Sequence, residues 1–130
     1  MNDLIARYYQ CFNAADYDGM LALLDDDVLH EPSQGEPRQG KAQFRAFLRH
    51  METCYKEQVI EPVIMGNADG SRAAAEFQLH GSYLQTDGDL PQARGQQYQL
   101  RVGAFFELRG GRITRVSNHY NLQDWLRQIG

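Results

Sequence analysis

Cysteine is scarce in this chain. Cys11 and Cys54 are the only two, and each sits in an apolar helical pattern. Free, reduced thiols are therefore the expectation rather than a disulfide. Neither cysteine is read as having a Cys or His at zinc-ligand spacing, so no metal site is expected. Positive charge is also in short supply: 13 Lys and Arg stand against 17 Asp and Glu, a net charge of −4. That sign argues against a nucleic-acid backbone or an anionic membrane as the main partner. No apolar stretch approaches the length of a membrane span. The start, Met1-Asn2-Asp3-Leu4, lacks the basic cluster and apolar run of a signal peptide, which makes a cytoplasmic location the expectation. Internal repeats, low-complexity tracts, a Gly-x-Ser-x-Gly elbow and a phosphate loop are missing too, and with them the chemistries they carry.

What is present is ordinary globular material, 42% apolar and 23% charged. A chain of 130 residues fits one domain and buries a core without staples. Leu4, Tyr8, Cys11, Phe12 and Ala15 recur at helical spacing, which predicts a helix over Asp3–Ala15. Asp16 suits the N-cap of a short helix from Tyr17 to Leu24, stopped by Asp25-Asp26-Asp27. Val28–Glu31 reads as a short strand closed by Pro32, and Ser33–Gly40 as a loop. Phe44, Phe47, Leu48, Met51 and Tyr55 mark a long amphipathic helix over Lys41–Tyr55.

From Gln58 the period becomes two. Strands are predicted at Gln58–Met65, Arg72–Leu84, Gln96–Leu108 and Arg112–Tyr120. Asn67-Ala68-Asp69-Gly70 and Arg109-Gly110-Gly111 read as hairpin turns, and Thr86–Gly95 as a longer, mobile connection. A last helix, Leu122–Ile129, follows an N-cap at Asn121. Helices followed by long antiparallel strands define an α+β fold. One sheet face, carrying Ala73, Ala75, Phe77, Leu79 and Tyr83, should pack on the helices. The other is mixed and includes Phe105.

Several segments resemble the nuclear transport factor 2-like superfamily. They are Ala6-Arg7-Tyr8, Asp25-Asp26-Asp27, Glu31-Pro32, the hairpin from Phe105 through Gly110-Gly111 to Ile113, and Asn118-His119-Tyr120-Asn121-Leu122-Gln123-Asp124-Trp125-Leu126. The chain is similar along its whole length to the ketosteroid isomerase-related and SnoaL-like members. That resemblance implies a cone-shaped roll in which a curved sheet wraps a long helix around a small-molecule pocket. It also implies a homodimer paired through the outer sheet face.

The resemblance further implies catalytic roles for Glu31 and Tyr8. Glu31 matches the family's acid before a proline, within a possible slip of one residue, and would act as general base. Tyr8, with Tyr9 as its neighbouring alternative, would donate to a developing oxyanion. The family's second oxyanion donor falls on Gly103 or Ala104, where no acid stands. The tyrosines that buttress the oxyanion tyrosine fall on Leu48 and on Leu23 or Leu24.

Asn118, Tyr120 and Val116 share the strand face that the resemblance turns toward the pocket. Phe77, Leu79, Tyr83, Val102 and Ala104 are further candidate wall residues. His30 should point away from Glu31, and His80 and His119 fall on the mixed face. The expected ligand is a small hydrophobic carbonyl compound, and the expected chemistry is isomerisation or lyase chemistry without a cofactor. A pocket that binds without catalysis, and a protein-interaction module, are the competing functions.

Overall fold

A computed structural model describes residues 2–130. Two helices, α1 (Asn2–Asn13) and α2 (Tyr17–Ala22), lead into strand β1 (Leu24–Glu31) and the short β2 (Arg38–Gln39). The long helix α3 (Lys41–Cys54) comes next. Four strands follow: β3 (Tyr55–Gly66), β4 (Arg72–Tyr83), β5 (Gln96–Arg109) and β6 (Arg112–His119). Helix α4 (Leu122–Ile129) closes the chain.

The strands form one curved, unclosed sheet in the order β2-β1-β6-β5-β4-β3. β1 runs parallel to β6, and every other neighbour pair is antiparallel. The α+β roll expected from the sequence is present. No helix among the described residues is long and apolar enough to cross a membrane.

Local chemistry explains the boundaries. Asp16 caps α2 by accepting from the Gly19 N–H at 2.9 Å, and the Asn121 side chain accepts from Asp124 at the start of α4. Between β5 and β6, Gly110 and Gly111 both take positive φ (60° and 76°), as a two-residue turn that follows the strand twist requires. Helices α1 and α2 each end two residues earlier than expected, and three strands differ as well. β1 begins at Leu24, because the acidic run is itself extended, with Leu24 and Val28 facing the core. A two-residue strand lies within the segment expected as loop; it is too short for periodicity to reveal. β3 begins at Tyr55 rather than Gln58, because Tyr55, Glu57 and Val59 already pair with β4.

Strand β3 is a sheet edge, and its free backbone groups need partners. Asn13 supplies them at Val59: its Nδ2 donates to the Val59 carbonyl (2.9 Å), and its Oδ1 accepts from the Val59 N–H (2.8 Å). The register then shifts between Ile60 and Val63, where Glu61 holds a φ of 49° and precedes Pro62. This irregularity bends the edge and interrupts it as a template for further pairing. The core lies between the inner sheet face and the helices, with Phe44, Leu48, Phe106, Ile113 and Trp125 buried in it. On the outer face Phe105 is half exposed. It lies in register with Ala74, and Ala74 with the exposed Met65.

Candidate active site

The pairing registers place the inward side chains in rows across the sheet. One row is Tyr55, Tyr83 and Gln96, and the next is Glu57, Gly81 and Tyr98. Val59, Leu79 and Leu100 follow, then Phe77 with Val102, and then Ala75, Ala104 and Asn118. The last row joins Ala73, Phe106, Val116 and His30. Between these rows and the helices runs a cavity of about 760 Å³ that opens to solvent. Its middle is apolar, and polar groups gather toward its two ends. That pattern, an apolar space with a few placed polar groups, is what a small-molecule site requires.

One end is built around Glu57. Gly81 has no side chain, so the Tyr98 ring crosses β4 above it and donates its hydroxyl hydrogen to Glu57 Oε2 at 2.5 Å. A Cβ on Gly81 would stand 2.3 Å from Tyr98 Cζ. Gly81→Ala is therefore expected to push the Tyr98 ring off Glu57. Crowding of this kind costs about 1–3 kcal/mol, which urea denaturation would measure. Unchanged stability would contradict the packing described.

Burial raises the Glu57 carboxyl above the ordinary glutamate range, and the Tyr98 hydrogen bond opposes part of that rise. Tyr120 lines the same cavity. Its own hydroxyl is shifted up, first by burial and then by the charges of Glu57 and Asp87, so it remains a protonated donor. Beside them Tyr55 donates to Asp87 Oδ2 (2.7 Å), and His50 Nε2 meets Asp87 Oδ1 (2.7 Å).

The other end holds His30, Tyr8 and Tyr9. His30 is buried between Phe44 and Phe47, with ring centroids 4.6 and 4.5 Å away, and its Nδ1 has no partner. Burial and then the charge of Arg38 lower its pKa to about 4, so the imidazole is neutral near pH 7. Tyr8 is raised by burial alone, and Tyr9 by burial and then by Tyr8. The two rings meet edge to face, and each also meets Phe106.

The expected site residues divide accordingly. Tyr8, Asn118, Tyr120, Phe77, Leu79 and Val102 all line the cavity. Glu31 does not. It lies in register with Ser117 on the outer face, and its Oε1 accepts from Arg115 Nε at 2.6 Å. Successive strand residues point to opposite faces, so the residue turned inward beside Pro32 is His30. The acid-before-proline match thus falls one position off the cavity.

Tyr83, Val116 and Ala104 are fully buried in the core and do not line the cavity either. Tyr83 instead ties down the connection after β4. Its hydroxyl donates to the Pro91 carbonyl (2.7 Å) and accepts from the Asp87 N–H (3.0 Å). Tyr9, read only as an alternative to Tyr8, lines the cavity as well.

Glu57, Tyr98 and Asp87 were not singled out by the sequence reading. A glycine inside a strand, Gly81, is a signal for close approach of another group, and it points to the Tyr98–Glu57 pair. The expectation of no metal-ligand spacing also needs correction. His50 and Cys54 stand four apart on α3, hence on one helix face, and Asp87 joins them.

The curved, unclosed six-strand sheet with its helices defines the cone-shaped α+β class. A family model described as a SnoaL-like domain matches residues 5–116, and the chain belongs to that family. Three solved structures, each described as a "putative polyketide cyclase", are close to it. The protein from Pseudomonas putida KT2440 shares 52% identity over 99% of this chain and 97% of its own, with a TM-score of 0.97. The one from Silicibacter sp. TM1040 shares 53% over 99% and 94%, also at 0.97. The one from Xanthomonas campestris shares 47% over 98% and 95%, at 0.95. Among curated proteins no sequence matches the chain. The fold is also that of an LEH-like epoxide hydrolase of M. tuberculosis (18% identity over 98% of this chain and 87% of its own, TM-score 0.72).

Proposed function

We propose that this chain is an acid/base isomerase or cyclase acting on a small hydrophobic carbonyl compound, with Glu57 as the general base. The observation that carries the reading is a carboxyl group set in an apolar cavity, raised by burial and held by a single hydroxyl. A carboxylate with a raised pKa is a stronger base than a solvated one. It takes a proton from the carbon beside a carbonyl, while Tyr120 donates a hydrogen bond to the oxygen that gains charge. The enolate then has two outcomes. Returning the proton to another carbon isomerises the substrate. Attack by the enolate carbon on a second carbonyl of the same molecule closes a ring, and the alkoxide so formed takes the proton back from Glu57. In both cases product and substrate have the same atoms, and no oxidant or reductant is consumed.

The similarity to proteins described as polyketide cyclases favours ring closure and a substrate with several carbonyl groups. Asn118, in the row next to His30, and His30 itself would hold a second oxygen of such a substrate at the far end of the cavity. The half-exposed Phe105 beside Ala74 and Met65 supports pairing of two copies through the outer face.

The test is deuterium exchange. An aryl 1,3-diketone in D₂O, followed by proton NMR, should lose its α-proton signal faster with the protein than with buffer. Saturable binding without acceleration would leave a pocket that binds and does not catalyse.

A further inference from the structure

Three donors of different kinds converge where α3 ends and the connection after β4 begins. They are His50 Nε2, Cys54 Sγ and a carboxylate oxygen of Asp87, all within 4.8 Å of one another. We propose that they form a binding site for a borderline divalent transition ion, zinc or cobalt(II), at the edge of the cavity. This site does not depend on the role given to Glu57.

The local fold prepares the site. His50 and Cys54 are one helical turn apart, which aligns them on one face of α3. The backbone carbonyl of Cys54 accepts from both Leu84 and Gln85 (2.8 and 3.3 Å), which brings the following residues back to the helix end. Asp87 is then fixed twice, by its N–H on the Tyr83 hydroxyl (3.0 Å) and by Tyr55, which donates to its other carboxylate oxygen (2.7 Å). An outer hydroxyl that orients a ligating carboxylate is a recurring feature of metal sites.

A nitrogen, a sulfur and an oxygen donor suit zinc or cobalt better than calcium or magnesium, which prefer oxygen alone. Ordinary zinc bond lengths require donor separations of roughly 3.3–3.6 Å in a tetrahedron. His50 and Asp87, now 2.7 Å apart, must open slightly. Cys54 Sγ must close by up to roughly 1.2–1.5 Å, which side-chain rotation supplies.

His50 is half exposed, which gives an ion a way in, while Cys54 is buried. His50 and Asp87 belong to the cavity wall, so a fourth position would open toward a ligand. Binding releases the thiol proton, and His50 must present Nε2 without a hydrogen to the ion in place of its present contact with Asp87 Oδ1.

Cobalt(II) titration of the reduced full-length protein tests the site. The expected result is one equivalent bound, with a thiolate-to-cobalt band in the near ultraviolet and tetrahedral bands in the visible. Cys54→Ser should abolish the thiolate band, and Cys11→Ser should leave it intact. Tyr55→Phe should weaken binding about 10–100-fold. A second measurement covers the case in which Cys54→Ser fails to fold: zinc should slow alkylation of Cys54, but not of Cys11, in the unaltered protein. No cobalt band at millimolar metal overturns the proposal. So does a band that survives Cys54→Ser, or equal alkylation of Cys54 with and without zinc.

Discussion

Glu57→Gln is expected to lower the deuterium-exchange rate by about 10²–10⁴-fold, the usual contribution of a positioned general base. The substitution keeps the shape of the side chain and leaves an oxygen to accept from Tyr98, so the cavity should survive. Stability gives an independent sign. Burial raises the Glu57 pKa, so the folded state favours the protonated form. Its contribution to stability is complete below the ordinary glutamate pKa and is lost as pH rises through the folded value. At neutral pH the native carboxylate therefore opposes folding, and the glutamine variant should be as stable as the parent or more so. Loss of activity without loss of stability separates a catalytic carboxylate from a structural one. Glu31→Gln is the matched control. It removes an ion pair on the outer face and should leave the exchange rate within about twofold, because a partly exposed pair of this kind contributes little.

The largest effect on stability is expected from His30. Its pKa is lowered from 6.5 to about 4 by burial between Phe44 and Phe47, and then by Arg38, whose guanidinium lies over the Phe47 ring. Between those two pH values the unfolded chain binds a proton that the folded chain refuses. The stabilising contribution is complete above pH 6.5 and is lost as pH falls toward 4. By linkage it amounts to about 3 kcal/mol. His30→Leu should remove that component while filling the same apolar slot. Urea denaturation of both proteins between pH 7 and pH 4.5 measures the difference. The parent should lose stability more steeply than the variant, and parallel curves would show that His30 is already solvated or charged in the native state.

Much of the fold was legible because its signals are periodic. The i, i+3, i+4 stripe of Phe44, Phe47, Leu48 and Met51 marks α3, and the alternation through Phe77 and Leu79 or Leu100 and Val102 marks the central strands. Alternation gave Asn118 and Tyr120 a shared face with Val116, and the family resemblance, not the period, turned that face toward the cavity they line. What stayed hidden depends on phase and on contacts distant in the chain. Whether Glu31 or His30 faces inward is set by the pairing of β1 with β6, some 85 residues away, and a shift of one residue exchanges the two. Glu57 was missed because Tyr55 fits the helical stripe as its last member as well as it fits the first position of β3. Reading it as helix removed Glu57 from the sheet. Tyr83 looked like a wall residue because alternation gives only the face, whereas its place in the core comes from stacking on Tyr55 and an edge contact with Trp125. Asp87 lies in a connection with no period at all, and only the fold brings it to His50 and Cys54.

The central claim is that Glu57 is a raised carboxyl group in a working cavity, and a carbon-13 NMR titration of its side-chain carboxyl measures that directly. The account predicts a midpoint above the ordinary glutamate range that moves when an aryl 1,3-diketone is added, with the signal lost in Glu57→Gln. An ordinary midpoint that ignores every ketone would mean that the carboxylate is solvated and takes no part in the site.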